Sequence, residues 1–125
     1  MNEAIVRRVF DAYNAHDADA WAAEMTEDGT FTSAYWGIDG RTYVGRDGLA
    51  DYFSQMGEQW ETFALELERV EMGNGKAVAV AKLNAKEPGT QVSVSPEQGF
   101  LFEFRGEKVL SVVTVPNLED ALSQL

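Results

Sequence analysis

The sequence has no cysteine, one histidine and far fewer basic than acidic residues. Without cysteine the chain can form no disulfide, no thiol nucleophile and no thiolate metal site. The 10 basic residues against 21 acidic ones give a net charge of −11, which argues against nucleic acid and anionic membranes as partners. No apolar run is long enough to cross a bilayer. These absences exclude several classes of function but select none.

The N-terminal segment bears on the localisation of the protein, and the spacing of its histidine and carboxylate residues bears on metal binding. Met1–Phe10 carries Glu3, Arg7 and Arg8 inside an apolar pattern rather than ahead of it, which is not the layout of a signal peptide. We therefore expect a cytoplasmic protein. No histidine and carboxylate residues have the spacing of metal ligands, so we expect neither a metal nor another cofactor.

What the sequence does contain is typical of a folded protein. Hydrophobic residues make up 45% of the 125 residues and charged residues 25%, both ordinary values for a globular domain. A chain of this length buries about two-thirds of the surface of its unfolded state. We expect one domain that spans residues 1–125.

Two helices are predicted at the start of the chain. Apolar residues recur at helical spacing over Ala4–Ala15. Asp17 is a candidate N-cap for a second helix over Ala18–Met25, which the turn Glu27-Asp28-Gly29 ends. The chain therefore opens with a pair of amphipathic helices.

The rest of the chain contains one more helix and a run of strands. Residues 30–36 alternate as a half-buried strand does, and the glycine-rich connection 37–45 leads to a third helix with Asp47 as its candidate N-cap. Asn74-Gly75 between two alternating runs is a strong hairpin signal. An antiparallel meander and a short last helix are predicted over Thr62–Met72, Lys76–Lys86, Gln91–Arg105, Lys108–Val115 and Leu118–Leu125.

Three stretches of the chain carry a family resemblance. Ile5–Asp17 looks like an opening helix followed by the acidic residue that starts a second one. Tyr43–Phe53 is similar to a glycine-led third helix, and Phe100–Val109 to a penultimate strand with its turn. In their order and spacing these stretches resemble the SnoaL-like and ketosteroid-isomerase-like proteins of the nuclear-transport-factor-2-like superfamily.

The resemblance implies an α+β fold in which N-terminal helices close a cone-shaped, strongly curved antiparallel sheet, a cystatin-like roll. It also implies a small apolar molecule in the pocket of the cone and a homodimer that forms through the sheet face. The fold by itself does not decide the chemistry, because one scaffold hosts many reactions.

The catalytic positions of the related enzymes are not filled in this chain. Ketosteroid isomerases use an aspartate base, a helix tyrosine and a protonated aspartic acid, and the resemblance places these on Ser33, Val9 and Phe100. Valine and phenylalanine cannot donate a hydrogen bond, and an unassisted serine is a very weak base. SnoaL cyclases rely on an acidic residue on the strand of Phe100. The Asp-Arg-Asp set of the epoxide-hydrolase relatives and the histidine pair of the dehydratase relatives are also missing.

The inward register of the family predicts which side chains line the pocket. They come from the first and third helices, the first strand and three strands of the meander, and form an aromatic wall with a few polar groups. The predicted lining is Val9, Tyr13, Ser33, Tyr35, Tyr52, Phe53, Trp60, Val78, Val80, Lys82, Asn84, Gln98, Phe100, Phe102, Val112 and Thr114.

Lys82 is the best catalytic candidate in this set. An inward Lys82 would have its pKa lowered by desolvation and could act as a base or a Schiff-base nucleophile. In the opposite register Lys82 lies in solvent, and Ala77, Ala79, Ala81 and Leu83 face inward. The alternation of this strand fits both registers.

Three hypotheses of function follow, of which the third is a regulatory or protein-transport role like that of the superfamily's namesake. The first is a SnoaL-like protein that binds a small, largely apolar ligand, with an isomerase, cyclase or hydrolase type of reaction that lacks the usual aspartates. The alternative is a non-catalytic ligand-binding or dimerisation module. An aromatic pocket favours the first hypothesis, the loss of every catalytic position favours the second, and a filled cavity would contradict the first.

Overall fold

The computed structural model describes residues 2–33, 41–86, 97–115 and 117–125, together with Gly89 and the backbone of residues 93–94. In the part of the chain that it describes, no helix is both long and apolar enough to span a membrane. The elements in chain order are α1 (Asn2–Asn14), α2 (Ala18–Ala23), β1 (Met25–Ser33), β2 (Arg41–Val44), α3 (Gly45–Gln59), β3 (Thr62–Gly73), β4 (Lys76–Lys86), β5 (Ser93–Val94), β6 (Glu97–Arg105), β7 (Lys108–Val115) and α4 (Leu118–Leu122).

The second helix is capped as predicted but ends earlier. The Asp17 side chain accepts a hydrogen bond from the Ala20 amide at 3.0 Å, which satisfies one free donor of the first turn. The carbonyl of Glu24 then accepts from the Val109 amide at 2.8 Å, and Met25 pairs with Val109. Met25 therefore begins β1 instead of closing α2, and the predicted turn at Glu27-Asp28-Gly29 lies inside the strand.

One curved sheet carries the fold, and its strands lie in the order β2-β1-β7-β6-β4-β3, with β5 paired to β4. All pairs are antiparallel except β1 with β7, which is parallel. The N-terminal helices pack on one face of this sheet, and the sheet does not close into a barrel. The predicted α+β class with a curved sheet closed by helices is confirmed.

The edge strand β2 was missed, because its residues fall in a stretch predicted to be a connection. Arg41–Val44 pairs antiparallel with the end of β1, with Tyr43 opposite Phe31. The helix α3 follows at once from Gly45, whose φ of +66° is a conformation that favours glycine. Asp47 consequently lies in the first turn of α3 instead of capping it.

The hairpin between β3 and β4 is confirmed. Asn74 and Gly75 have φ values of 51° and 73°, as a two-residue turn that matches the twist of the strands requires. The ladder of β3 and β4 then runs from Gly73 opposite Lys76 to Thr62 opposite Lys86.

The two faces of β4 pack against different parts of the protein. Alternate residues from Ala77 to Ala85 belong to the main core with the helices. Val78 and Val80 instead form a second cluster with Ala121 of α4, which lies on the outer face of the sheet. The predicted inward orientation of Val78, Val80, Lys82 and Asn84 is therefore wrong, and the opposite register is the correct one.

Gly99 allows α4 to approach the sheet closely. A Cβ atom at Gly99 would lie 2.7 Å from the Cβ of Ala121, which is too close for two carbon atoms. The helix thus covers the outer face of β6 and β4, part of the face through which the family resemblance implies a dimer.

Candidate functional site

The interior between the helices and the sheet is built from aromatic rings. Phe10 meets Phe100 edge-on at 5.6 Å between ring centroids. Phe31 contacts Trp21 at 5.0 Å and Tyr52 at 4.9 Å. Rings at these separations attract one another beyond the burial of their area, so the centre of the cone is a packed aromatic cluster.

Two small cavities remain inside this cluster. The first, here called the apolar cavity, is lined by Val9, Phe10, Tyr13, Trp21, Phe31, Leu65, Phe100, Phe102 and Val112. The second, the polar cavity, is lined by Tyr13, Phe31, Ser33, Tyr52, Leu65, Leu83, Gln98, Phe100 and Thr114. They are neighbours, because four residues line both of them.

Each cavity has a volume of about 10 Å³. That is roughly the room for one water molecule, whereas an engineered cavity of about 150 Å³ is needed to hold benzene. The expected open cone is therefore closed in this conformation, because aromatic side chains fill it. No molecule larger than water can enter without moving aromatic rings, so the first hypothesis holds only if this interior opens on binding.

The sheet brings the polar residues of the polar cavity together. In the parallel ladder Phe31 lies opposite Val112, so Ser33 and Thr114, each two residues further on, emerge on the same inner face. The strand β6 runs antiparallel to β7, and Gln98 near its start contributes the third polar group. These three are the only polar or charged residues that are fully buried in the described part of the chain.

The Gln98 amide is the unusual group among them. Gln98 is only 3% exposed, and its Nε2 atom has no hydrogen-bond partner. A buried donor without a partner destabilises a fold by about 1–3 kcal/mol. A buried donor of this kind requires an explanation, for example a ligand that supplies the missing acceptor.

A pair of tyrosines forms the opposite wall of the polar cavity. The hydroxyls of Tyr13 on α1 and Tyr52 on α3 share a hydrogen bond at 2.7 Å. Burial raises the pKa of both phenols above the usual value near 10, so both stay neutral at any physiological pH. Since one hydroxyl donates to the other, the second hydroxyl proton of the pair is available to another acceptor.

The helix α1 is held in place beside the sheet by its last residue. The Asn14 side chain donates to the Leu65 carbonyl at 2.9 Å and accepts from the Leu65 amide at 2.7 Å. Leu65 lines both cavities. These two hydrogen bonds therefore fix the distance between α1, which carries Tyr13, and β3.

Most of the predicted lining residues meet at these cavities, and some do not. Trp60 is buried and Phe53 is half-buried in the aromatic cluster, but neither lines the apolar or the polar cavity. Tyr35 lies outside the described residues. The predicted residues found at the cavities are Val9, Tyr13, Ser33, Tyr52, Gln98, Phe100, Phe102, Val112 and Thr114.

The second half of β4 carries its predicted site residues on the outer face. The Lys82 side chain is 44% exposed and lies 4.0 Å from the Glu68 carboxylate. Asn84 is exposed, and Val80 is covered by α4. Lys82 is thus a solvated surface residue, and the catalytic role proposed for an inward lysine has no support in this geometry.

Five residues of the cavity walls were not predicted: Phe10, Trp21, Phe31, Leu65 and Leu83. Phe31 could have been predicted as a lining residue from the sequence, because it lies two residues from Ser33 on the same face of the strand. Leu83 follows from the other β4 register. Nothing in the sequence pattern distinguishes Phe10, Trp21 and Leu65 from ordinary core residues.

The described lining of the polar cavity offers hydrogen bonds but no group that is charged near neutral pH. Its polar side chains are hydroxyls and one amide. General acid–base catalysis needs a group whose pKa lies near the working pH, and the two tyrosines have been moved away from it. The arrangement can bind and orient a neutral molecule.

Helices packed on one face of a curved sheet, with an aromatic interior between them, define the nuclear-transport-factor-2-like class of α+β proteins. The family model of the SnoaL-like domain matches residues 6–112. The chain belongs to this family. No curated protein matches the sequence.

Solved structures support the same fold. A hypothetical protein with a ketosteroid-isomerase-like fold from Catenulispora acidiphila, in complex with trimethylamine, is 19% identical with a TM-score of 0.78 over 96% of this chain and 90% of that one. An NTF2-like protein from Burkholderia thailandensis is 17% identical with a TM-score of 0.80 over 97% and 96%. TerC, co-crystallised with polyporic acid, is 12% identical with a TM-score of 0.81 over 99% and 96%. At these identities the likeness establishes the fold alone.

Proposed function

We propose that this protein binds a small, neutral, largely apolar molecule at the polar cavity and performs no acid–base chemistry on it. The observation that supports this is the convergence of Ser33, Gln98 and Thr114 on one cavity, beside the hydroxyls of Tyr13 and Tyr52. A packed core gains nothing from polar groups placed in this way, since burying them is unfavourable. A site with an apolar body and a few convergent polar groups is typical of small-molecule binding.

The size of the cavities favours a ligand of few heavy atoms. Any ligand larger than a water molecule requires packed side chains to move, among them Phe31 and Phe100, which line both cavities. A protein that must open before it binds has its apparent affinity reduced by the fraction of molecules that are open. Among the similar structures, the Catenulispora protein is in complex with trimethylamine, which matches this size class but is a cation near neutral pH and so supports the size of the ligand only.

The charge of the ligand follows from the described lining and the whole protein. A charged ligand would lose its hydration without gaining a partner of opposite charge in the polar cavity, which is strongly unfavourable. The net charge of −11 also disfavours the approach of anions. A neutral molecule meets neither obstacle.

Methyl resonances test this proposal directly. Leu65 and Leu83 line the polar cavity, while Val80 lies on the outer face of the strand that carries Leu83. On titration with cyclopentanone and cyclopentanol, the Leu65 and Leu83 methyl signals should shift and saturate, and the Val80 signals should stay. Cyclopentylammonium and cyclopentanecarboxylate should produce no such shift. Absence of a saturable shift with every neutral probe would refute the proposal.

A further inference from the structure

The unpartnered amide of Gln98 indicates what kind of molecule the polar cavity selects. Gln98 is 3% exposed, lines this cavity and has no acceptor for its Nε2 hydrogens. The backbone around it is fixed, because Gln98 pairs with Ala81 on one side and Gly99 pairs with Val115 on the other. Gln98 therefore lines the cavity from a rigid strand and carries a donor that no group of the protein satisfies.

We infer that the polar cavity selects ligands with an uncharged hydrogen-bond acceptor, such as a carbonyl or sulfoxide oxygen, and that Gln98 is the residue that selects them. This inference rests on the proposed function of the same cavity. An acceptor oxygen would satisfy the Nε2 donor, and the spare hydroxyl proton of the Tyr13–Tyr52 pair offers a second donor. A ligand without an acceptor would leave the Gln98 amide unpaired.

Selection by such a group is stronger than selection by shape. An apolar pocket discriminates weakly between molecules of equal size, whereas a site built to hydrogen-bond its ligand rejects an analogue without the polar atom by several powers of ten at best. One neutral hydrogen bond in a cavity that opens on binding should give a smaller effect. We expect a preference of about tenfold.

Cyclopentanone and methylenecyclopentane make a matched pair of probes. They share the ring and differ only in the atom at the double bond, which is an oxygen in one and a methylene carbon in the other. Dissociation constants are measured from the Leu65 and Leu83 methyl shifts. The side-chain amide resonance of Gln98 is recorded in the same titration, because a new hydrogen bond from Nε2 moves its proton signal downfield.

A pair of variants completes the experiment. Gln98→Met keeps the length of the side chain and removes the donor, and Gln59→Met makes the same exchange at an exposed position of α3. The native protein and the Gln59→Met variant should bind cyclopentanone about tenfold more tightly than methylenecyclopentane. Gln98→Met should bind the two probes equally, and the Gln98 amide signal of the native protein should move only with the ketone.

The outcomes separate this inference from the proposed function. Equal binding of both probes to the native protein, or a Gln98 amide signal that the ketone leaves in place, would overturn the selection by Gln98 while binding at the cavity stands. Failure of both probes and of cyclopentanol to bind would overturn the proposed function itself. Retention of the ketone preference in Gln98→Met would assign the selection to another donor and contradict the inference.

Discussion

The apolar and polar cavities have the same size and share four residues, but they differ in what their walls contribute to the fold. Around the apolar cavity, Phe10 and Phe102 are buried against other rings and stabilise the folded state, and Trp21 packs on Phe31 although its Nε1 donor has no hydrogen-bond partner. Around the polar cavity, Gln98 is buried without a partner for its donor. Each end of the interior therefore retains one unpartnered buried donor, but only at the polar cavity does that donor lie among the other buried polar side chains, Ser33 and Thr114.

This difference separates stability from function within one small interior. Substitutions at the apolar end should change the free energy of unfolding and leave ligand preference alone. Substitutions at the polar end should change ligand preference, and some of them should make the empty protein more stable. Proteins commonly accept such a loss of stability where a site must be ready for its ligand.

The largest effect is expected at the apolar end. Phe102 of β6 is fully buried and its ring packs near Phe10 of α1, so Phe102→Ala should lower the free energy of unfolding by about 3–5 kcal/mol. Met72→Ala, at an exposed hydrophobic residue, should change it by less than about 0.5 kcal/mol. Urea denaturation measures both. A small effect at Phe102 would mean that the apolar end is loosely packed and would contradict the difference in stability between the two cavities.

Alkaline pH should reveal the tyrosine pair. An unfolded tyrosine loses its proton near pH 10, whereas the pKa of Tyr13 and Tyr52 is raised in the folded protein. Their contribution to stability is complete below pH 10 and falls as the pH rises above it, by up to about 1.4 kcal/mol per pH unit for each tyrosine. The double variant Tyr13→Phe/Tyr52→Phe should lose stability less steeply with pH. Equal slopes in both proteins would contradict the burial of the pair.

Removal of one hydroxyl of the pair should have a smaller effect at neutral pH. Tyr52→Phe leaves the Tyr13 hydroxyl buried without its partner, which should destabilise the protein by about 1–3 kcal/mol. The double variant should be less destabilised than the sum of the two single variants, because no unpaired hydroxyl remains. Thermal unfolding of the native protein, the two single Tyr→Phe variants and the double variant gives the coupling free energy between the hydroxyls. Strict additivity would show that the hydroxyls act independently.

The smallest change is expected at Gln98 and has the opposite sign. Gln98→Met removes a buried Nε2 donor that has no partner and keeps a side chain of similar length, so the empty protein should gain roughly 1 kcal/mol of stability. Gln124→Met, at an exposed residue of the C-terminal segment, serves as the control. A loss of stability in Gln98→Met alone would indicate that the amide supports the fold and would remove the contrast between the two cavities.

The sequence predicted the order of the elements well, but it misled on β4. Ala77, Ala79 and Ala81 alternate with the larger Val78 and Val80, and larger apolar residues are usually the better candidates for a core. In the structure the small alanines face inward because Phe100, Phe102 and the helix aromatics need that room. The valines are buried as well, under α4, so both faces of the strand are apolar and the alternation carries no information about direction.

Whether aromatic side chains fill the interior could not be predicted from the sequence, for a different reason. Family resemblance located Ser33, Gln98 and Thr114 on the inner face, and the structure places all three at one cavity. Whether the interior is open depends on how far rings from separate elements penetrate, as Phe31 of β1 and Tyr52 of α3 do when they meet edge-on. Such tertiary packing leaves no periodic signal in the chain.

The parallel pairing of β1 with β7 has a consequence for the order of events during folding. It joins Phe31 to Val112, so the wall that carries Ser33 cannot close before the last strand arrives. Contacts between distant parts of a chain form slowly. On the ribosome, the helices and β1 of this protein must wait until Lys108–Val115 has been synthesised, with their aromatic side chains exposed in the meantime to other hydrophobic surfaces of the cell.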